Sequence, residues 1–209
     1  MEAKSSSLKK IRKAMEKSLD AKRFEHTLGV AYTAAALAMR YGCDIQKAQT
    51  AGMLHDCAKC MSNEKRLKIC TKHNIAVNEI ERRNPFLLHA KVGSYIAMQK
   101  YNIHDSDIIN AILNHTTGRP DMSLLEKIVY VADYIEPGRK QAPNLGEIRR
   151  LAFADLDEAL FRILKDTLLY LNQVDGETDP MTQKTYEFYK NYMETRNRTA
   201  GKSKRSGAI

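Results

Sequence analysis

Apolar positions recur along the chain at intervals of three and four residues, and no stretch alternates with a period of two. Leu8, Ile11, Met15 and Leu19 form one face of a first helix, for which Ser5-Ser6-Ser7 offers the capping hydroxyl. A second, alanine-rich helix is expected over Phe24–Tyr41, closed by Gly42 as a left-handed cap. Asp44 caps a third, through Ala48, Ala51, Gly52 and Leu54, where small residues permit close packing. Ser62 opens a polar helix running to about His73. A short helical turn near Val77–Arg82 stops ahead of Asn84-Pro85, because a residue before proline avoids the helical region. Pro85 suits the start of the next helix, which carries Leu88, Val92 and Ile96 to about Tyr101. Asp105 or Ser106 begins another, with Ile108, Ile109, Ile112 and Leu113, followed by a loop at 116–121. Ser123 and Glu126 fit a capping box for a helix ending near Tyr134. Helices over about Leu145–Phe153 and Asp155–Leu171, a break at Gly176–Pro180 and a last helix over Thr182–Met193 complete the pattern. The fold class is all-α.

The 209 residues, 43% of them hydrophobic, suit one domain with a real core. Residues 1–194 read as a single helical domain and 195–209 as a basic, disordered tail. The formal charge of +9 changes little, because the excess sits at the ends. Residues 1–25 hold 8 basic against 4 acidic side chains and residues 190–209 hold 6 against 1, leaving 20 of each between. Such ends are solvated more often than they bind nucleic acid, so no specific nucleic-acid partner is expected. The start is polar and lacks the apolar core of a secretory leader. No run approaches the roughly 18 apolar residues of a membrane span. Together with Cys43, Cys57, Cys60 and Cys70 read as reduced thiols, this predicts a cytoplasmic protein without a membrane partner.

The candidate chemistry centres on Met53-Leu54-His55-Asp56-Cys57-Ala58-Lys59. Imidazole nitrogen and carboxylate oxygen are both ligands for zinc, iron or manganese. Neighbouring side chains on a helix diverge by about 100°. The pair therefore either clasps one metal at a helix end or lets the carboxylate bridge two. Four of the six histidines, His26, His55, His89 and His115, fall at predicted helix ends or first turns, and Asp133 in a last turn. Successive spacings of 29, 34, 26 and 18 residues let a helix cross the domain and another return. Ligands gathered from several helices into a bundle core are a recurrent metal-site architecture. Any one of these histidines alone reads equally as a capping or core residue.

The order His, His-Asp, His, His, Asp resembles the HD-domain metal-dependent phosphohydrolases, and most closely their YqeK-type symmetrical dinucleoside tetraphosphatase branch. The resemblance is carried by Arg23-Phe24-Glu25-His26-Thr27-Leu28-Gly29-Val30, by the 51–59 stretch around His55-Asp56 and by Leu87-Leu88-His89-Ala90. It is strongest in His115-Thr116-Thr117-Gly118-Arg119-Pro120 and in Ala132-Asp133-Tyr134-Ile135-Glu136-Pro137-Gly138-Arg139, and it spans about residues 8–192. Thr27, where a serine is expected, and Cys57, where an aromatic residue is common, depart from the pattern without touching a ligand.

The resemblance implies an HD-type helical bundle around a dinuclear site, with iron as the first candidate and manganese or zinc as alternatives. It puts His26, His55, Asp56 and Asp133 on one ion and Asp56, His89 and His115 on the other. It further implies symmetrical hydrolysis of diadenosine tetraphosphate and related dinucleoside polyphosphates to two ADP, by in-line attack of metal-held hydroxide. Asp56 and Lys59 would act in catalysis, and Lys59, Thr116, Gly118, Arg119 and Arg139 would contact phosphate. Lys59 alone would read as a surface lysine, and Asp121 and Glu136 as capping or cation-pairing residues. A homodimer is compatible with this reading. Other HD hydrolases act on nucleoside mono- or triphosphates or on cyclic nucleotides. A non-enzymatic polyanion- or ribosome-binding protein using the basic ends is a third reading. Cys57-x-x-Cys60 lacks the second ligand pair of a zinc site and the βαβ context of a redox motif, so free thiols are expected. Tyr186, Tyr189 and Tyr192 could suggest a stacking platform for bases, but residues 186, 189 and 193 define a helical packing face, so core contact is expected.

Overall fold

A computed structural model describes residues 7–173 and 178–206. Helices α1 (Leu8–Ser18), α2 (Ala21–Tyr41), α3 (Ile45–Leu54), α4 (Asn63–Lys72) and α5 (Glu79–Arg83) lead to a 3-10 turn at Pro85–Leu88. Then come α6 (His89–Tyr101), α7 (Ser106–Asn114), α8 (Leu124–Ile135), α9 (Leu145–Ala154), α10 (Leu156–Gln173) and α11 (Pro180–Ser206). Among the described residues there is no strand. The all-α expectation holds.

Local chemistry accounts for most of the boundaries. Asp44, Ser62 and Ser123 each accept a main-chain N–H from their helix's first turn, and Glu126 returns the bond to close a capping box. Gly42 takes the left-handed conformation at φ +70. Helix α2 starts ahead of the predicted Phe24 because the Asp20 carboxylate accepts Arg23 N–H at 2.8 Å. Asn78 and Glu81 form a second capping box that the periodicity did not reveal. Pro85 opens a 3-10 turn rather than the α-helix expected of it, and α6 begins at His89.

Helix α2 packs against α3 and α8, α3 against α7 and α8, and α10 against α8, α9 and α11. The α2–α3 contact is close because α3 presents Gly52, where an added Cβ would sit 2.9 Å from Ala31 Cα. The main core (Val30, Leu37, Leu54, Ile112, Ile128, Leu160 and neighbours) fills the space between these helices. A smaller cluster of Ala58, Cys70, Leu88 and Val92 joins α4 to α6.

Part of the stretch expected as a tail, 195–209, lies within α11, and 207–209 lie outside the described residues. Helix α11 continues past residue 194 to Ser206, and Arg196 forks onto Asp155 at 2.7 and 3.0 Å, tying it to the α9–α10 junction. A bidentate pair of this kind orders a polar segment that hydropathy alone marks as free. The predicted break at Gly176–Pro180 falls partly on 174–177, outside the described residues, as do Ser5 and Ser6. Tyr189 is buried and its hydroxyl oxygen accepts Met122 N–H at 3.0 Å; Met193 is buried too, so the face of 186, 189 and 193 packs as its spacing predicted, while Tyr192 stays exposed. No described helix is long and apolar enough to cross a membrane.

Candidate metal centre

The packing sets helix ends against one another. His55 and His115 follow directly on the last residues of α3 and α7, Asp133 lies in the last turn of α8, His89 opens α6 and His26 projects from α2. The C-terminal ends of α3, α7 and α8 thus meet at one place. Each helix C-terminus carries partial negative charge in its unpaired carbonyls, so their convergence favours a cation.

The imidazoles are held in one tautomer. His55 Nδ1 donates to Gly52 O at 2.6 Å, His89 Nδ1 to Phe86 O at 2.7 Å and His115 Nδ1 to Ile112 O at 2.7 Å. A carbonyl only accepts, so Nδ1 carries the proton and Nε2 presents a lone pair. All three Nε2 atoms surround Asp56: His89 and His115 lie 3.4 and 3.5 Å from Oδ1, and His55 lies 3.5 Å from Oδ2. His26 Nε2 is 3.1 Å from Asp133 Oδ1 and 4.0 Å from Asp56 Oδ2. His55 Nε2 and Asp56 Oδ1 are buried without a hydrogen-bond partner. Orphaned lone pairs that face one another inside a protein are costly unless an electrophile accepts them.

Three overlapping groups have ligand atoms within 4.8 Å of one another: His26-His55-Asp56, His55-His115-Asp133 and Asp56-His89-His115. The six residues expected as ligands from the sequence are therefore brought together, with Asp56 shared by groups on both sides. Donor chemistry, tautomers and orphaned atoms all fit metal ions. Electrostatics follow the same geometry. Burial pushes His55 down to about 4 and His89 well below the usual imidazole value. Burial opposes charge on Asp56 and Asp133, yet the surrounding imidazoles hold both carboxylates below their usual range. Burial also opposes charge on His26, but its contacts with Asp133 and Glu136 prevail and raise it.

The segment bearing Asp56 and Lys59 is a series of turns, and α4 braces it. Buried Arg66 donates to Ala58 O at 3.2 Å and to Lys59 O at 2.5 Å. Lys59 Nζ then lies 3.1 Å from His89 Nε2 and 4.0 Å from Asp56 Oδ1, with burial lowering its pKa. A cleft of about 320 Å³ opens over the cluster, with Arg23, Lys59, Thr116 and Arg139 on its wall beside Tyr130 and Tyr134.

Two expected phosphate contacts do not line this cleft. Gly118 turns away with φ +64 and packs against Thr185 and Met122. Arg119 is committed to Glu126, at 2.7 Å from Oε1 and 2.6 Å from Oε2. A nearly fully buried carboxylate at the start of α8 needs a cation, and Arg119 supplies it. Arg23 was missed. Its NH1 lies 2.8 Å from Asp56 Oδ2, and the available signal was its position one helical turn before His26. Thr167 also reaches the wall from α10, without a signal in the sequence. Glu136, expected to cap or to pair with a cation, stands at the C-terminal end of α8 and faces His26 Nδ1 at 3.1 Å.

A helical bundle whose helix ends present clustered histidines and aspartates over an open cleft is the architecture of metal-dependent HD hydrolases. Residues 23–138 match the HD domain, and the chain belongs to that family. Its relatives narrow the branch. The chain is 40% identical over 174 residues to the symmetrical bis(5'-nucleosyl)-tetraphosphatase of Bacillus subtilis, covering 83% of this chain and 92% of that one. It is 35% identical over 191 residues to the enzyme of the same description from Staphylococcus aureus, covering 90% and 97%. Among solved structures, an HD superfamily hydrolase from Clostridium acetobutylicum, described as involved in NAD metabolism, superposes with a TM-score of 0.87 at 40% identity. That match covers 90% of this chain and all of the other.

Proposed function

We propose that the protein hydrolyses diadenosine tetraphosphate and related dinucleoside polyphosphates symmetrically, releasing two nucleoside diphosphates. Membership of the HD family and the likeness to symmetrical tetraphosphatases over most of the chain support this over a cyclic-nucleotide or monophosphate hydrolase. The observation that carries the site is the set of Nε2 lone pairs around Asp56, each oriented by a bond on Nδ1. On our reading His26, His55, Asp56 and Asp133 hold one ion, and Asp56, His89 and His115 hold a second. The nitrogen and oxygen ligand set suits iron, manganese or zinc, and iron is our assignment. A bound metal pair supplies Lewis acidity toward a phosphoryl oxygen and lowers the pKa of coordinated water.

The chain's own residues supply charge, orientation and exclusion of solvent. Tetraphosphate is strongly anionic, and Arg23, Lys59 and Arg139 line the cleft that would receive it. Arg139 is held by Asp133, whose carbonyl and Oδ1 lie 2.8 and 2.9 Å from NH2, so its guanidinium is pre-oriented. The Thr116 hydroxyl, 3.2 Å from His89 Nε2, offers a donor at the same edge. Central cleavage releases a nucleoside diphosphate, a good leaving group, so no separate protein acid is required once cations neutralise the charge. The binding reading for the basic ends is weakened by Arg196, which is spent on Asp155. A cytoplasmic location fits four unpaired thiols and a nucleotide substrate.

Product analysis tests the reading. Metal-reconstituted protein given diadenosine tetraphosphate should yield ADP, and His55→Ala or Asp56→Ala should abolish turnover with helical content retained. Release of ATP plus AMP would contradict symmetrical cleavage, and turnover unaffected by both substitutions would remove the site from contention.

A further inference from the structure

His26 differs from the other three histidines in what holds its Nδ1. His55, His89 and His115 donate to neutral main-chain carbonyls, whereas His26 faces a carboxylate oxygen, Glu136 Oε1, at 3.1 Å. Glu136 is 3% exposed. Its other oxygen accepts Gly138 N–H at 2.5 Å, while the nearby Arg149 donates to the Glu136 carbonyl and not to the carboxylate. A buried carboxylate with a ring N–H and one amide is poorly compensated unless further positive charge lies beyond the ring.

The surroundings make room for this one side chain. An added Cβ on Gly29 would lie 2.6 Å from Glu136 Oε2, and one on Gly138 would lie 2.9 Å from it. Neither glycine has a positive φ, so backbone conformation does not require them. Gly29 also sits inside α2, where glycine is a poor helix former and needs a packing reason. The reason is the Glu136 carboxylate. His26 and Gly29, one turn apart on α2, thus present a ring and a vacant position to the same residue.

We infer that Glu136 is a positioning residue for His26, and that it makes the metal position served by His26 the more tightly held of the two. The inference rests on the two-ion reading given above. A carboxylate on Nδ1–H fixes the ring plane and increases electron density at Nε2, and loss of such a partner typically weakens metal binding about 10- to 100-fold. The other three histidines, backed by carbonyls, lack this reinforcement.

The test is a titration of metal-free full-length protein with Mn²⁺, followed by calorimetry and by metal analysis after dialysis. Wild type should bind two Mn²⁺ per chain with separable affinities. Glu136→Gln, which keeps shape and removes charge, should weaken the tighter step about 10- to 100-fold and leave the other unchanged. Gly29→Ala should weaken the same step by displacing the carboxylate, and should add nothing in a Glu136→Ala background, because both act through one contact. Circular dichroism and thermal melting check folding, and Gly29→Ala carries the test should Glu136→Gln fail to fold. Unchanged steps in Glu136→Gln, equal weakening of both steps, or additive effects of Gly29→Ala and Glu136→Ala would overturn the inference. Fewer than two Mn²⁺ on wild type would instead overturn the two-ion reading, and this inference with it.

Discussion

The Arg119 guanidinium lies along the Glu126 carboxylate, with Nε 2.7 Å from Oε1 and NH2 2.6 Å from Oε2. Glu126 is 1% exposed and also accepts Asn114 Nδ2 and Ser123 N–H, both at 2.7 Å. Arg119→Ala would leave that carboxylate buried with its neutral donors and no cation. Breaking a fully buried pair costs about 3–5 kcal/mol. The arginine side chain is 37% exposed, so water replaces part of what it supplies, and we expect about 2–3 kcal/mol. For a chain of this size that lowers Tm by about 4–12 °C. A phosphate clamp would behave in the opposite way. Thermal melts and steady-state kinetics on diadenosine tetraphosphate separate the two roles. The structural role predicts the lower Tm with kcat/KM within about twofold of wild type, below about 0.5 kcal/mol of transition-state binding. A tenfold fall in kcat/KM, about 1.4 kcal/mol, at an unchanged Tm would refute the reasoning.

Gly52→Ala should separate α3 from α2, because the new methyl meets Ala31 Cα at 2.9 Å and Ala31 N at 3.1 Å, main-chain atoms that cannot turn aside. Overpacking of this kind costs about 1–3 kcal/mol. Since Gly52 O also holds His55, metal affinity measured by titration should fall together with Tm, and a fall in neither would count against the contact. Metal-free protein should lose stability as pH drops below about 6.5, because unfolded His55 takes up a proton there that the buried ring, with its pKa lowered to about 4, refuses. That depressed base contributes stability present above 6.5 and worth about 2 kcal/mol less at pH 5. His89 acts in the same sense, while the raised His26 loses its contribution only as pH rises above 6.5. Equal urea midpoints at pH 5 and pH 7 would contradict this. Thiol reagents should label exposed Cys60 rapidly in the folded protein and spare Cys57, which burial pushes up to about 12; fast labelling of Cys57 itself at neutral pH, located by peptide mass, would show the 55–60 segment open.

How far the site could be read from the chain depended on the distance over which each interaction acts. Capping by Asp44, Ser62 and Ser123 involves residues three apart, and the helix starts were legible for that reason. The Nδ1 bonds of His55, His89 and His115 likewise reach back three residues, so a histidine just past a helix end carried its own orientation. Arg119 misled because a loop arginine beside a ligand has two acceptors to choose between, and its choice lay in Glu126, whose burial no local pattern discloses. The partner of Arg196, Asp155, lies 41 residues back and is likewise beyond any local pattern.

The sequence by itself determined the helical class, most helix ends and the identities of the six residues in the cluster, because helix periodicity, caps and ligand chemistry are local properties. Only the tertiary structure decided which helix ends face one another, that Arg23 borders Asp56 and that Arg119 does not enter the cleft. It alone joined His26 to Glu136 across 110 residues and explained Gly29 by the space that carboxylate occupies. Those outcomes depend on close packing between distant segments. Side-chain volume and buried charge are settled there by every neighbour at once, and the order of residues along the chain does not record them.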